Sequence, residues 1–122
     1  MYIEDLSELT SEVIENAPYI TGIFGKGEWG GCNQAYLLEN GKIGVIGHHS
    51  YLEHKNGENI SVYTNSAFVF DPLTREVEDY KIIGTRAFYP DASAKKPELI
   101  DCAFTSGIIM REDGKVDLYS GI

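Results

Sequence analysis

Asn-Gly and Asp-Gly pairs between short apolar runs constrain this chain more than any other feature of its sequence. The apolar run 36–38 is followed by Glu39-Asn40-Gly41-Lys42 and then by a second apolar run, 43–46. An Asn-Gly pair in this position is a strong hairpin signal, because a type I′ turn needs positive φ at both central residues. The sequence therefore predicts an antiparallel hairpin with a type I′ turn at Asn40 and Gly41.

Two further hairpins follow from similar patterns. The run 60–70 alternates loosely, meets an Asp-Pro turn at 71–75 and is followed by an apolar run at 77–83. Proline presets φ at the second position of a turn, so these two runs are predicted to pair. The third hairpin joins 107–110 to 116–119 through an Asp-Gly turn. The connections 48–59 and 84–101 are rich in Gly, Pro, Lys, Asn and Asp and are predicted to be loops.

The first and third hairpins resemble each other. Asn40-Gly41-Lys42-Ile43 matches Asp113-Gly114-Lys115-Val116, and Gly114 lies 73 residues after Gly41. If this similarity reflects a repeat, the unit is a four-stranded antiparallel sheet over roughly 33–83, followed by half of a second sheet. Four-stranded sheets repeated around an axis are the blades of β-propellers.

Only the N-terminal segment is predicted to be helical. Apolar residues recur there at roughly helical spacing, and Thr10 is a suitable N-cap before Ser11 and Glu12. Pro18 follows soon afterwards, which favours a helix within residues 4–16.

These elements predict an all-β fold: an antiparallel, β-propeller-like blade of four strands, an additional hairpin and a short N-terminal helix. Residues 1–122 are expected to form a single domain, a partial propeller of about one and a half blades. The sequence ends directly after the second strand of the second unit. We therefore expect an open sheet edge, a half-covered apolar face and a homo-oligomer.

Composition excludes several classes of partner. The formal net charge is −9, which argues against nucleic acid and against a polybasic membrane anchor. The N-terminus carries no secretory signal pattern, and no apolar run approaches the ~20 residues of a membrane span. Cys32 and Cys102 then indicate free thiols and a cytoplasmic location. The sequence lacks P-loop, dinucleotide-binding and zinc-finger motifs, so no cofactor is expected.

Trp29, Asn33 and Gln34 lie in a glycine-flanked stretch that suits carbohydrate binding. A tryptophan face stacks on sugar rings, and amides form paired contacts with hydroxyl groups. The alternative is structural: Trp29 anchors the core, and the two amides hold the backbone of a turn.

The three histidines, His48, His49 and His54, could in principle form a zinc site. Adjacent residues on a strand point to opposite faces, so His48 and His49 are not expected to share one ion. We therefore expect histidines that face solvent or a ligand, and no metal site.

Charged residues near the third hairpin form a further candidate site. Asp101, together with Glu98, could supply a carboxylate pair of the kind that glycosidases use. Capping of a strand end is the alternative role for Asp101. Arg86, Lys95 and Lys96 could receive a phosphate or carboxylate, or form a solvated loop.

Two long segments carry a resemblance to known proteins: Lys96 to Ile109 with Leu118-Tyr119-Ser120-Gly121, and Glu28 to Ala35 with Gly44 to His49. They resemble an uncharacterised bacterial family related to the five-bladed β-propeller mannoside phosphorylases and glycosidases. The resemblance covers nearly the whole chain but only the C-terminal part of such a protein. It makes His48 the counterpart of a histidine that helps to bind phosphate or sugar.

The resemblance also implies that catalytic parts are missing, because the family's acid catalyst lies in an earlier blade and its final aspartate has no counterpart here. The first functional hypothesis is a catalytically incomplete fragment or remnant of a carbohydrate-active propeller. The second is a small oligomeric sugar-binding or interaction module. The third is a glycoside hydrolase or phosphorylase whose site is completed by a neighbouring chain. The candidate binding residues are Trp29, Asn33, Gln34, His48 and Asp101, with carbohydrate or phosphate as ligand.

Overall fold

The computed structural model describes residues 3–122, and Met1 and Tyr2 lie outside the described residues. The order of elements is a 3₁₀ turn, a short helix and six strands, with two further 3₁₀ turns between the fourth and the fifth strand. The helix is α1 (Ser11–Glu15), and the strands are β1 (Glu28–Leu37), β2 (Ile43–Lys55), β3 (Glu58–Phe70), β4 (Val77–Gly84), β5 (Phe104–Met110) and β6 (Val116–Gly121). The 3₁₀ turns are Leu6–Glu8, Arg86–Phe88 and Pro97–Leu99.

The strands form one four-stranded antiparallel sheet, in the order β1-β2-β3-β4, and one two-stranded antiparallel sheet, β5-β6. The predicted all-β class, the four-stranded sheet and the additional hairpin are confirmed. The N-terminal segment contains a 3₁₀ turn and a five-residue α-helix, and the Thr10 side chain caps that helix by accepting from the Val13 N–H. No helix within residues 3–122 has the length and apolar character needed to cross a membrane.

The prediction of a type I′ turn at Asn40 and Gly41 is wrong. Only Gly41 has positive φ, at 80°, and the Gly41 N–H donates to the Leu38 carbonyl at 2.9 Å. Leu38 in turn donates to the Lys42 carbonyl at 2.9 Å, which is the pattern of a type I turn followed by a left-handed residue. The extra residue in this loop allows Asn40 to keep the ordinary negative φ.

The predicted loop at 48–59 is also wrong, because most of this segment is strand. β2 continues to Lys55, β3 begins at Glu58, and Asn56 and Gly57 connect them with φ of 52° and 85°. Both central residues have positive φ, so the two-residue type I′ turn lies here. The polar side chains that suggested a loop lie on the partly exposed end of a long hairpin, and β1 likewise begins at Glu28, before the predicted start near 33.

The similarity between the first and third hairpins extends to their geometry. The Arg111 and Gly114 backbone bonds repeat those of Leu38 and Gly41, and Gly114 has a φ of 78°. Each hairpin also contains a β-bulge, between Cys32 and Gln34 in β1 and between Thr105 and Gly107 in β5. These bulges are again 73 residues apart, so turn and bulge repeat together.

The β5–β6 hairpin packs on one face of the four-stranded sheet through a polar core. Asn65 of β3 is fully buried, and its Nδ2 lies within 3.0 Å of the Ala103 carbonyl and of the Thr105 and Ser120 hydroxyls. The Tyr89 hydroxyl donates to Asn65 Oδ1 at 2.8 Å. Asn65 therefore joins the sheet to both strands of the hairpin and to the segment between β4 and β5.

Candidate functional site

One face of the four-stranded sheet, called here the cluster face, carries Trp29, His48 and Tyr63. The Trp29 and Tyr63 rings meet edge to face with centroids 6.1 Å apart. Phe104, at the start of β5, lies over the same region, with its ring 4.7 Å from His48 and 5.9 Å from Tyr63. These four rings form an aromatic cluster at the junction between the sheet and the hairpin.

The bulge in β1 brings Asn33 to this cluster. A bulge leaves its extra residue outside the ladder and redirects the side chain. Asn33 Oδ1 lies 2.7 Å from His48 Nδ1, on the neighbouring strand. Because the amide oxygen only accepts, His48 Nδ1 carries the proton of this bond, and Nε2 of the neutral ring remains an acceptor. Burial lowers the pKa of His48 below its usual value of 6.5, so the ring is neutral at pH 7.

Gln34 is held by the hairpin. Its Oε1 accepts from the Ile108 N–H at 2.9 Å, and a Cβ at Gly107 would run into the same oxygen. Gly107 has a φ of 154°, which glycine adopts without strain. The geometry therefore gives Gln34 a structural bond between β1 and β5 and shows why residue 107 lacks a side chain.

Asp101 approaches the aromatic cluster through its backbone, because the Tyr63 N–H donates to the Asp101 carbonyl at 3.0 Å. Its carboxylate points elsewhere and lies 3.3 Å from Lys55 Nζ. Asp101 also lines a pocket of about 350 Å³ together with Arg86, whose guanidinium donates to the Tyr89 and Pro90 carbonyls. Glu98 does not pair with Asp101 but lies 3.9 Å from Lys96.

The back face of the four-stranded sheet, defined by Gly30, Cys32 and His49, carries a separate group of polar side chains. His49 Nδ1 lies 2.6 Å from the Tyr80 hydroxyl, and His49 Nε2 lies 3.4 Å from Glu28. His48 and His49 therefore face opposite sides, and His54 Nδ1 contacts Asn59 near the β2–β3 turn. Within residues 3–122, no three His, Cys, Asp or Glu side chains converge as metal ligands would.

Three residues of this region were not among the sequence candidates: Ser50 and Tyr63 on the cluster face, and Phe104 on β5, which lies over it. Ser50 pairs with both Trp29 and Tyr63 in the ladder and is fully buried, yet its hydroxyl has no hydrogen-bond partner within residues 3–122. Strand alternation from His48 would have placed Ser50 on this face, but the neighbours on β3 and β5 depend on register and packing.

Residues 1–122 match a family model described as "Protein of unknown function (DUF1861)". The chain belongs to the DUF1861 family. No curated protein matches this DUF1861 chain.

Solved structures from Leishmania are similar to the DUF1861 chain. MPT-4, a mannose phosphorylase from Leishmania mexicana solved in complex with phosphate ion, is 49% identical with a TM-score of 0.93. MPT-1, a GDP-Man-dependent mannosyltransferase from the same organism, is 53% identical with a TM-score of 0.92. A hypothetical protein from Leishmania major is 52% identical with a TM-score of 0.86. In each comparison 98% of this chain is covered, but the chain spans only 38% or 39% of the relative.

Proposed function

We propose that this chain is the carbohydrate-binding part of a mannose-handling β-propeller, contributing about one and a half blades. The four-stranded antiparallel sheet in sequential order, followed by a hairpin that repeats its first two strands, supports this architecture. Identities of 49% and 53% to a mannose phosphorylase and a mannosyltransferase support a ligand of the same chemical class. The chain spans less than two fifths of the length of these relatives. Any link between this chain and the activity of a whole relative is therefore part of the proposal.

The observation that carries the proposal is the grouping of Trp29, Asn33 and His48 on the cluster face. The Trp29 indole, which lies beside the Tyr63 ring, offers an apolar surface to the C–H groups of a sugar. The Asn33 bond fixes the His48 ring and leaves Nε2 as an acceptor for a hydroxyl proton. The unpartnered Ser50 hydroxyl lies in the same part of the sheet and supports a hydroxyl-bearing ligand.

The protonation of His48 discriminates between the two ligand classes. A neutral His48 with its Nδ1 proton bonded to Asn33 accepts from a sugar hydroxyl but offers no Nε2–H to a phosphate oxygen. A protonated ring donates from both nitrogens and favours an anion. We therefore propose that a sugar is the ligand near pH 7 and that phosphate binds more strongly as the pH falls below 6.5, the usual pKa of histidine.

We further propose that this chain alone does not turn over glycosides. Glycoside hydrolysis ordinarily uses two carboxylates on opposite sides of the scissile bond, and a phosphorolytic route still needs an acid. The Asp101 carboxylate is engaged by Lys55, and Glu28 lies with His49 on the back face. Neither carboxylate is directed at His48.

Titration of the chain with mannose and, separately, with inorganic phosphate tests the binding proposal by nuclear magnetic resonance. We expect mannose binding at pH 7.5 with a dissociation constant on the order of 1 mM, which corresponds to about 4 kcal/mol. His48→Gln and Asn33→Ala should weaken it about tenfold, whereas the matched control His54→Gln should leave it unchanged. Unaltered affinity in both site variants, or no binding of either ligand, would contradict the proposal.

Turnover is tested with nitrophenyl mannosides in the presence and absence of phosphate. We expect no release of nitrophenol above the blank. Release that Asp101→Asn abolishes would show that the chain is an enzyme, and would favour a site completed by a neighbouring chain.

A further inference from the structure

The packing of the β5–β6 hairpin on the four-stranded sheet defines an interface inside the molecule. The inner face of the hairpin, which carries Thr105, Leu118 and Ser120, lies against the cluster face. Thr105 is fully buried and donates to the Gly47 carbonyl at 2.6 Å, and Tyr36 donates to the Ile108 carbonyl at 3.1 Å. An inner hairpin face and a cluster face are therefore complementary surfaces.

The 73-residue repeat relates each of these two surfaces to an exposed surface of the other hairpin. The inner face of the β5–β6 hairpin corresponds to the back face of the four-stranded sheet. Thr105 and Ile108 of β5 correspond to Cys32 and Ala35 of β1, and both β1 residues are exposed on the back face. Leu37, which precedes the first turn, is 82% exposed on the same face. Residues 14–24 approach the Gly30 end of this face and line an apolar groove of about 420 Å³ there.

The cluster face corresponds in the same way to the outer face of the β5–β6 hairpin, which is the face turned away from the four-stranded sheet. Tyr36 and Ile46, which are half-buried on the cluster face, correspond to Ile109 and Tyr119. Ile109 is 57% exposed and Tyr119 is 51% exposed. The chain thus presents one exposed surface of each complementary kind, at opposite ends of the stacked sheets.

We propose that a second copy of this chain packs the back face of its four-stranded sheet on the outer face of the β5–β6 hairpin, continuing the internal interface between molecules. The exposed surface supports a second copy as the occupant. The chain exposes 8810 Å², whereas a compact monomer of 13.6 kDa exposes ~6,600 Å². The excess is about the size of a stable protein–protein interface, which buries ~1,200–2,000 Å².

This contact is heterologous, because different surfaces of the two copies meet. Each added copy leaves both kinds of surface free at the ends, so assembly continues until a ring closes or a filament forms. The net charge of −9 on each copy opposes association, and added salt should therefore strengthen it.

Sedimentation over a range of protein and salt concentrations tests the proposal with two variants. Ile109→Lys with Tyr119→Lys blocks the outer face, and Ala35→Lys with Leu37→Lys blocks the back face. We expect the wild type to gain mass beyond the dimer as its concentration rises, and each variant alone to stay monomeric. Leu52→Lys with Leu73→Lys, at residues that are 59% and 92% exposed, is the matched control and should associate like the wild type.

Mixing the two blocked variants gives the decisive result. Each retains the surface that the other has lost, so the mixture should form a one-to-one dimer that grows no further. A monomeric wild type at every concentration, or a mixture that stays monomeric although the wild type associates, would overturn the proposal. Circular dichroism establishes that each variant is folded, and Leu37→Ser and Tyr119→Ser replace any lysine variant that is not.

Discussion

The hairpins β1–β2 and β5–β6 share a turn and a bulge but differ in what surrounds them. In both turns an Asx side chain accepts from the N–H two residues later, at 3.1 Å for Asn40 and for Asp113. The first hairpin continues through Asn56 and Gly57 into a four-stranded sheet, whereas β5–β6 lies on that sheet as a separate two-stranded one. Local sequence thus sets the shape of each hairpin, and packing decides which of its faces is buried.

The largest expected effect comes from separating the two regions. Asn65→Ala should lower the free energy of unfolding by about 4 kcal/mol, because it removes the buried hydrogen bonds of Asn65 to the Ala103 carbonyl and to the Thr105, Ser120 and Tyr89 hydroxyls. Chemical denaturation measures the loss. Asn59→Ala is the control, since Asn59 is exposed and its side chain hydrogen-bonds to the exposed His54, and it should cost less than ~0.5 kcal/mol. Equal losses in the two variants would contradict a joining role for Asn65.

The second largest effect on stability is expected at the contact between the two β-bulges, where Gln34 of β1 meets Gly107 of β5. Gly107→Ala is expected to cost about 3 kcal/mol, because the new Cβ meets Gln34 Oε1 in addition to the strain of a positive φ. Gly41→Ala, whose Cβ would meet nothing within 4 Å, should carry only the strain, about 1 kcal/mol. Thermal and denaturant unfolding of both variants compare them. A Gly107 variant no less stable than the Gly41 variant would show that the Gln34 contact has no energetic weight.

The two turns should respond alike. Asn40→Ala and Asp113→Ala each remove one side-chain bond to a backbone N–H and should each cost about 1 kcal/mol. Glu39→Ala and Glu112→Ala, at exposed neighbouring positions of the same turns, are the controls. If only one of the two variants loses stability, the same turn geometry does not contribute the same free energy in the two hairpins.

The smallest effect concerns pH and the cluster face. Burial lowers the pKa of His48, so the unfolded chain takes up the proton first as the pH falls below 6.5. Stability should therefore decrease from pH 7 to pH 5 more in the wild type than in His48→Gln, as judged from melting temperatures. The exposed His54→Gln variant should follow the wild type. If the melting temperatures of the wild type and of His48→Gln change with pH in parallel, the titration of His48 does not contribute to stability.

The sequence predicts the turns and strand pairs of this fold better than it predicts their extent. Gly41 and Gly114 mark two real hairpins, because a left-handed position strongly favours glycine. The Asn56-Gly57 pair lies within the segment 48–59, whose content of Gly, Lys and Asn favours a loop and so conceals this hairpin signal. A strand with one partly exposed face tolerates such residues, so polarity alone did not distinguish it from a connection.

The candidate site was predictable only in part. Residue type predicts Trp29 and Asn33 as candidates, the family resemblance predicts His48, and the structure brings the three to one face. Their common position depends on the bulge at Asn33 and on the β1–β2 register, which a single sequence does not specify. Tyr63 joins them through the β2–β3 register, and Phe104 joins them because β5 packs on the sheet, a contact between residues distant in the chain.

The polar character of the core also determines how this protein responds to temperature. Its largest fully buried side chains are Asn65, Thr105, Ser50 and Ser66. Exposure of apolar surface raises the heat capacity on unfolding, whereas exposure of polar surface lowers it. The heat-capacity increment should therefore fall below the usual ~12–15 cal/mol/K per residue. A small increment flattens the stability curve, so cooling weakens this fold less than it weakens one held together by an aliphatic core.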